Sequence, residues 1–284
     1  MELKYEKRRS VWKEFFSFMG ISRLWTIACV RFQIKFIKLF KVDRQSECKL
    51  HSIPVIIYRI SDVGYKKEKP TWINNENCLR NAVCHFPVAT CEWHVIADNL
   101  SAKTLNMIRT YLPEDSIHTV HFGHGAGSFR YGYELALKYA DNRIIYFLEN
   151  DYLHRAKAAI VLREGLELGV ADYVTLYDHP DKYGYDGNPF VRGGEKTKVF
   201  ISKTCHWKIT NSTPLTFATT VRVLKRDKNI MYKWTDTTLP KSFYIFTDLA
   251  GKGRRLISPI PGFSTHGEVA FLTPLVDWQQ EIIK

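Results

Sequence analysis

The chain has 284 residues, of which 45% are hydrophobic and 25% charged. That balance excludes a disordered, collagen-like or coiled-coil chain and leaves one large globular domain or two small ones. Net charge is +12, but 12 of the 41 Lys and Arg, against 5 of the 29 Asp and Glu, fall in the first 50 residues. The basic character therefore belongs mostly to one end, which points to a basic arm or surface helix and away from a nucleic-acid-binding body. The six cysteines form no CxxC pair, which argues against a disulfide scaffold or structural zinc and fits reduced thiols in a cytosol-like compartment.

Residues 11–42 are aromatic and aliphatic, yet Lys or Arg keeps returning, and the longest uncharged stretch runs only from Phe15 to Ser22. A membrane span needs roughly 18 such residues, so no transmembrane helix is expected. Arg23 and Arg31 also spoil a signal peptide. Two readings stay open. In one, residues 1–48 form a basic amphipathic helical segment lying on an anionic membrane surface, with Trp12, Phe16, Trp25 and Phe36 in the interface. In the other, the helix packs on the body of the protein. The body is expected over residues 49–284, in the cytoplasm or peripheral to the cytoplasmic membrane face.

From about residue 50 the pattern becomes regular. A strand is expected over 53–60, a helix over 75–86, a strand over 92–97 and a helix over 102–111 with Ser101 as its cap. A strand over 117–122 leads into the glycine-rich turn 123–127, with Ser128 capping the next helix. In that helix Phe129, Gly132, Tyr133, Ala136, Leu137 and Ala140 share one face. The run Ile144 to Leu148 is apolar throughout, as a strand covered on both faces would be. A helix over 155–168 and a strand over 172–177 follow. Residues 180–194 read as a long functional loop. Strands of more antiparallel type are expected over 198–202, 204–210 and 216–221, and a late helix over 240–250. Alternation at this spacing gives an α/β fold with a mostly parallel central sheet flanked by helices.

In such folds ligands bind beyond the carboxyl ends of the strands. Those ends hold Arg59, Ser61 and Asp62, then Asp98, then the glycine turn, then Glu149-Asn150-Asp151. Two carboxylates in Glu-x-Asp spacing directly after a buried strand suit a hard cation, which takes one or two carboxylates plus substrate phosphates. The glycine turn is not a phosphate loop, because no Lys follows it. It also lies after the third strand, which disfavours a dinucleotide fingerprint.

The order of these elements, with Glu149-Asn150-Asp151 after the fourth strand, resembles the GT-A glycosyltransferases, most closely the family 2-like enzymes that use nucleotide sugars. The resemblance covers roughly residues 50–270. It implies a Rossmann-like GT-A fold and a metal-dependent hexosyl transfer from a nucleotide-diphosphate sugar of UDP or GDP type to a hydroxyl of a glycan or glycolipid. It implies Mn²⁺ or Mg²⁺ held by Glu149, Asp151 and His266, the last in the late segment 261–268. It implies donor contacts from Arg59, Ser61, Asp98, Gly127, Arg130 and Asn150. Lys252, Arg254 and Arg255 read either as further cations for the diphosphate or as a basic turn complementing the C-terminal dipole of the late helix. The chain departs from the family where the late helix usually opens with a Glu-Asp pair whose Asp is the general base. Pro240-Lys241-Ser242 stands there, so Asp236 becomes the candidate base and the stereochemical outcome stays open. His206-Trp207 reads either as an acceptor-stacking pair or as core.

Two rivals are carried. A sugar-phosphate nucleotidylyltransferase is disfavoured, because the first-strand loop from Arg59 to Gly64 has a single glycine. A non-catalytic membrane- or nucleic-acid-binding module on the same fold is kept alive by the charge of residues 1–50.

Overall fold

The computed structural model describes residues 50–51, 53–63, 68–184, 191 and 194–282. The basic amphipathic segment expected over residues 1–48 lies outside the described residues, as does most of the stretch 185–193.

The strands are β1 (Val55–Ser61), β2 (Glu92–Asp98), β3 (Ile117–Val120), β4 (Ile144–Glu149), β5 (Tyr152–His154), β6 (Tyr173–Val174), β7 (Val199–Ile201), β8 (His206–Thr210), β9 (Phe217–Thr220), β10 (Leu256–Ile260) and β11 (Ser264–His266). The helices are α1 (Asn75–His85), α2 (Ala102–Arg109), α3 (Gly125–Ala136), α4 (Ala158–Glu167), α5 (Val221–Lys233) and α6 (Ser242–Gly251). Nine strands form one sheet in the order β3-β2-β1-β4-β9-β6-β10-β8-β7, and β11 pairs with β5 in a separate two-stranded ribbon.

Strands β3, β2, β1 and β4 are parallel neighbours. Strand β9 is antiparallel to both β4 and β6, β10 is parallel to β6, and β8 is antiparallel to β10 and β7. Only β8 and β9 therefore run against the rest. The expectation of a mostly parallel sheet with more antiparallel strands late in the chain matches this arrangement.

Period-two alternation divides the core between the two faces of the sheet. Ile56, Tyr58 and Ile60 of β1 join Tyr146 and Leu148 of β4 on the face covered by α1 and α4. Val55 and Ile57 join Ile145 and Phe147 on the face covered by α3, α5 and α6. Each such side chain, fully buried, contributes roughly 1.5–3 kcal/mol. Helices approach the sheet closely at two glycines. A Cβ on Gly132 of α3 would come within 2.5 Å of Ile57 Cγ2, and one on Gly165 of α4 within 2.6 Å of the Trp207 ring.

Helix α3 begins four residues earlier than expected. His124, not Ser128, is its cap, and its Nδ1 accepts from Gly127 N at 3.0 Å. Helix α5 was not anticipated: the charges of Arg222, Lys225, Arg226, Asp227 and Lys228 obscure its apolar stripe. Its core-facing positions are Val221, Leu224, Asp227 and Met231, so an acid sits where an apolar residue is expected. That acid is held by Arg226, Arg254 and the Tyr173 hydroxyl.

Candidate active site

Because the strands other than β8 and β9 point one way, their carboxyl ends form a common edge, and the residues expected there are brought together. Arg59 is buried near the end of β1. Its guanidinium donates to Glu149 Oε1 at 2.7 Å and to the Gly125 carbonyl at 2.9 Å. The register that pairs Arg59 with Glu149 across β1 and β4 makes the first contact direct. One cation thus links the ends of β1 and β4 to the first turn of α3. Thr216 sits behind Glu149, donating from its hydroxyl to Oε2 at 3.5 Å.

Asn150 donates to Asn75 Oδ1 at 2.7 Å and to the Ser61 carbonyl at 3.5 Å, joining the β4 turn to the start of α1 and the end of β1. The Ser61 hydroxyl closes a local turn by donating to the Val63 carbonyl. Asp62 accepts from Ser101 N and from the Thr104 hydroxyl, both at 2.7 Å. Burial opposes its ionisation, but these donors outweigh it and hold the carboxyl below its ordinary range.

Asp151 is buried at the end of the same turn. Its Oδ2 lies 3.1 Å from Lys69 Nζ and 3.4 Å from His266 Nε2. His266 arrives from a distant part of the chain on the β5–β11 ribbon, where it pairs with Tyr152. Gly267 N then donates to the Asp151 carbonyl at 2.7 Å. A Cβ on Gly267 would lie 2.8 Å from that oxygen and 2.5 Å from Ile73 Cγ2, so only glycine allows the approach. Around Asp151 the protons stay in place. Burial, with the charge of Asp151 adding to it, pushes the Cys78 thiol up to about 12 and raises the Tyr58 hydroxyl well above its ordinary value.

The three residues that the resemblance names as metal ligands do not converge on one point. Glu149 is turned to Arg59, whereas Asp151 and His266 meet each other and Lys69. Among the described residues no group of three or more His, Cys, Asp and Glu is arranged to hold an ion.

Asp98 is buried at the end of β2, and its Oδ1 accepts from Phe122 N at 2.8 Å and Gly123 N at 3.1 Å. It therefore fixes the β3–α3 turn, where Gly123 takes φ +70°. Gly127 lies in the first turn of α3, and a Cβ there would overlap the Phe122 ring at 2.7 Å. Arg130 donates to the Tyr232 carbonyl at 2.7 Å and to the Thr235 hydroxyl at 3.0 Å, and so ties α3 to the segment after α5. Asp236 lies on that segment. It lines a cavity of about 550 Å³ with Phe122, His124, Arg130 and Tyr131. This cavity adjoins the first turn of α3, where Ala126 N donates to the Thr238 carbonyl at 3.3 Å.

Two further readings are corrected by position. Arg254 donates to Asp227 at 3.0 Å and lines, with Arg255, a cavity of about 1030 Å³ where β6 and β10 begin. That is the amino end of these strands, away from a diphosphate at the carboxyl end. Trp207 is fully buried against Gly165 and is core, not an acceptor platform. Lys69 was missed by sequence reasoning. The basic run Lys66-Lys67-Glu68-Lys69 was its one signal, and nothing in the spacing connects it to Asp151.

Parallel strands in the order 3-2-1-4, an antiparallel strand beside β4 and an acidic turn at the β4 end make this an open, mostly parallel α/β fold with its polar residues gathered at the strand ends. No protein-family model matches the chain, and no curated protein matches it. Among solved structures, the galactosyltransferase LgtC in complex with donor and acceptor sugar analogues is 10% identical over 72% of each chain, with a TM-score of 0.40. S. aureus TarS (residues 1–349) is 14% identical over 77% of this chain and 59% of that one, at 0.42. The inositol-1-phosphate CTP transferase of T. maritima is 10% identical over 82% of this chain and 96% of that one, at 0.43.

Proposed function

We propose that the protein is a glycosyltransferase that moves a hexosyl group from a nucleotide-diphosphate sugar to an acceptor hydroxyl. The observation that carries this reading is the common edge itself. Arg59 with Glu149, and Asp151 with His266 and Lys69, come from four separated stretches of sequence and form two charged groups on the turn that ends β4. Ligand sites of open α/β sheets lie at that edge.

In this reading the acceptor oxygen attacks the anomeric carbon of the donor. The bond from that carbon to the diphosphate oxygen breaks, and the diphosphate leaves with the electron pair. Asp236 is the candidate for taking the acceptor proton, from the cavity beside the first turn of α3. Asp98 keeps the β3–α3 turn in the shape that frames the nucleotide, and Asn150 fixes the acidic turn. A divalent cation belongs to the mechanism that the resemblance implies. Because the expected ligands do not converge, no step is assigned to it. The acceptor is a glycan or glycolipid hydroxyl, and synthesis at a membrane surface would suit the basic amphipathic character of residues 1–48.

Thermal unfolding with UDP, GDP, CDP and ADP, in wild type and Asp151→Ala, tests the donor. Ligand at a hundredfold excess over Kd stabilises a fold by about 2.7 kcal/mol, a plainly visible shift. The expected result is a shift with one nucleoside diphosphate that is lost or altered in Asp151→Ala. No shift with any of the four removes the donor and the proposal with it.

A further inference from the structure

We infer that Lys69 is the cation this site presents to the donor's diphosphate, occupying the place where the resemblance expects a divalent metal. The inference rests on the nucleotide-sugar reading above and assigns a binding residue within it.

Four observations carry it. First, the Lys69 ammonium and the His266 ring approach the same oxygen of Asp151, at 3.1 and 3.4 Å. Second, this arrangement is built into the backbone. Val269 N donates to the Glu68 carbonyl at 2.9 Å and Gly267 N to the Asp151 carbonyl at 2.7 Å, so the segments carrying Lys69, His266 and Asp151 are tied together. Pro70 adds to this by holding the preceding Lys69 backbone to extended conformations. Third, the Lys69 side chain keeps 32% of its surface exposed, while Asp151 and His266 keep 9% each. The ammonium is therefore the member of the trio that an incoming anion meets. Fourth, the other acid of the motif, Glu149, has its own cation in Arg59.

The chemistry follows from the geometry. An ammonium has three donors, so contact with Asp151 leaves others for phosphate oxygens. It is a compact point charge of the kind that binds phosphate well. A divalent ion at the same carboxylate oxygen would sit beside a like charge, which strongly disfavours joint occupancy. As the bond to the diphosphate breaks, the ammonium stabilises the charge on the departing oxygen without giving up a proton.

The test compares wild type, Lys69→Met and Lys69→Arg by isothermal titration with UDP, GDP, CDP and ADP, each in EDTA and in Mn²⁺. Binding of Mn²⁺ alone is followed by electron paramagnetic resonance. Wild type is expected to bind one nucleoside diphosphate in EDTA. Lys69→Met should weaken that binding by about tenfold or more, while Lys69→Arg retains most of it, since a charge-assisted contact to phosphate is lost in one and kept in the other. Mn²⁺ alone should bind Lys69→Met more tightly than wild type, because one positive charge beside the Asp151 carboxylate is removed. Nucleotide binding that requires Mn²⁺ in wild type and is unchanged in Lys69→Met would overturn the role of Lys69 and leave the glycosyltransferase reading standing. Absence of binding by all four nucleotides in both conditions would overturn both.

Discussion

Two clusters of charge differ in what surrounds them. In the first, Arg59 pairs with Glu149 and Lys69 with Asp151, and one member of each pair reaches solvent, Glu149 at 28% and Lys69 at 32% exposure. In the second, Lys208 lies 3.0 Å from Asp178 and 3.5 Å from Glu195, and Lys182 lies 3.0 Å from Asp181. Lys208 and Asp178 are sealed at 3% and 2% exposure, and the Tyr183 hydroxyl donates to Asp178 at 2.6 Å. A sealed cluster holds its charges against one another and away from solvent. An open pair can exchange one partner for a ligand. The same residue types thus give a structural staple in one place and a candidate binding site in the other.

Cutting the sealed cluster should have the largest effect. Lys208→Met strands two buried carboxylates and is expected to cost about 3–5 kcal/mol in urea denaturation. Lys69→Met, in the open pair, should cost less than about 1 kcal/mol. Equal losses would erase the distinction between the clusters.

Arg59→Met falls between them. It removes the link from Glu149 to the Gly125 carbonyl and should cost about 2 kcal/mol, the scale of hydrogen bonds to a charged group. Hydrogen exchange should then quicken in the first turn of α3 while β1 and β4 stay protected. Uniform quickening across the sheet would show that Arg59 supports the core and not the edge.

The pH response should come from elsewhere. His94 Nδ1 and His118 Nε2 are 2.8 Å apart, and His94 Nε2 lies 2.6 Å from the Tyr139 hydroxyl, beside Glu92, Lys138 and Arg143. Burial holds both imidazoles below their ordinary 6.5. For His94, the neighbouring His118 and Lys138 add to this against Glu92, and for His118, Lys138 adds to it. The folded chain then binds fewer protons than the unfolded one. Stability is full above 6.5 and is lost as the pH falls through the depressed values. Urea midpoints in His118→Asn should show a shallower acid decline than wild type; an identical decline would place the response at other groups.

The smallest effect is expected at an exposed pair. Lys225→Ala breaks the contact with Asp141, where both partners are about half exposed, and should change stability by less than about 0.5 kcal/mol. A larger loss would mean that openness to solvent is a poor guide to what a pair contributes in this protein.

The sequence pattern was legible where local physics decides. Apolar runs at 53–60 and 144–148 became β1 and β4, and Ser101 caps α2 through its side-chain oxygen as expected. It was less legible where a distant group changes a residue's meaning. Asp227 hid α5, because its partners Arg254 and Tyr173 lie far away in sequence. Ser128 looked like the cap of α3, but its hydroxyl donates back to carbonyls of its own helix, and His124 caps instead. Asp98 stood before a helix start, yet its carboxylate accepts from a turn that follows the next strand.

By itself the sequence determined the alternation of strands and helices and the placing of Arg59, Asp98 and Glu149-Asn150-Asp151 at strand ends, because periodicity and turn chemistry act over a few residues. The tertiary structure decided which cation each carboxylate meets. Arg59 reaches Glu149 across 90 positions because β1 and β4 are neighbours in register, and His266 reaches Asp151 on a ribbon formed with the strand that follows it. Strand order in a parallel sheet is set by how the connecting helices pack on its faces, and no local spacing in the chain encodes it.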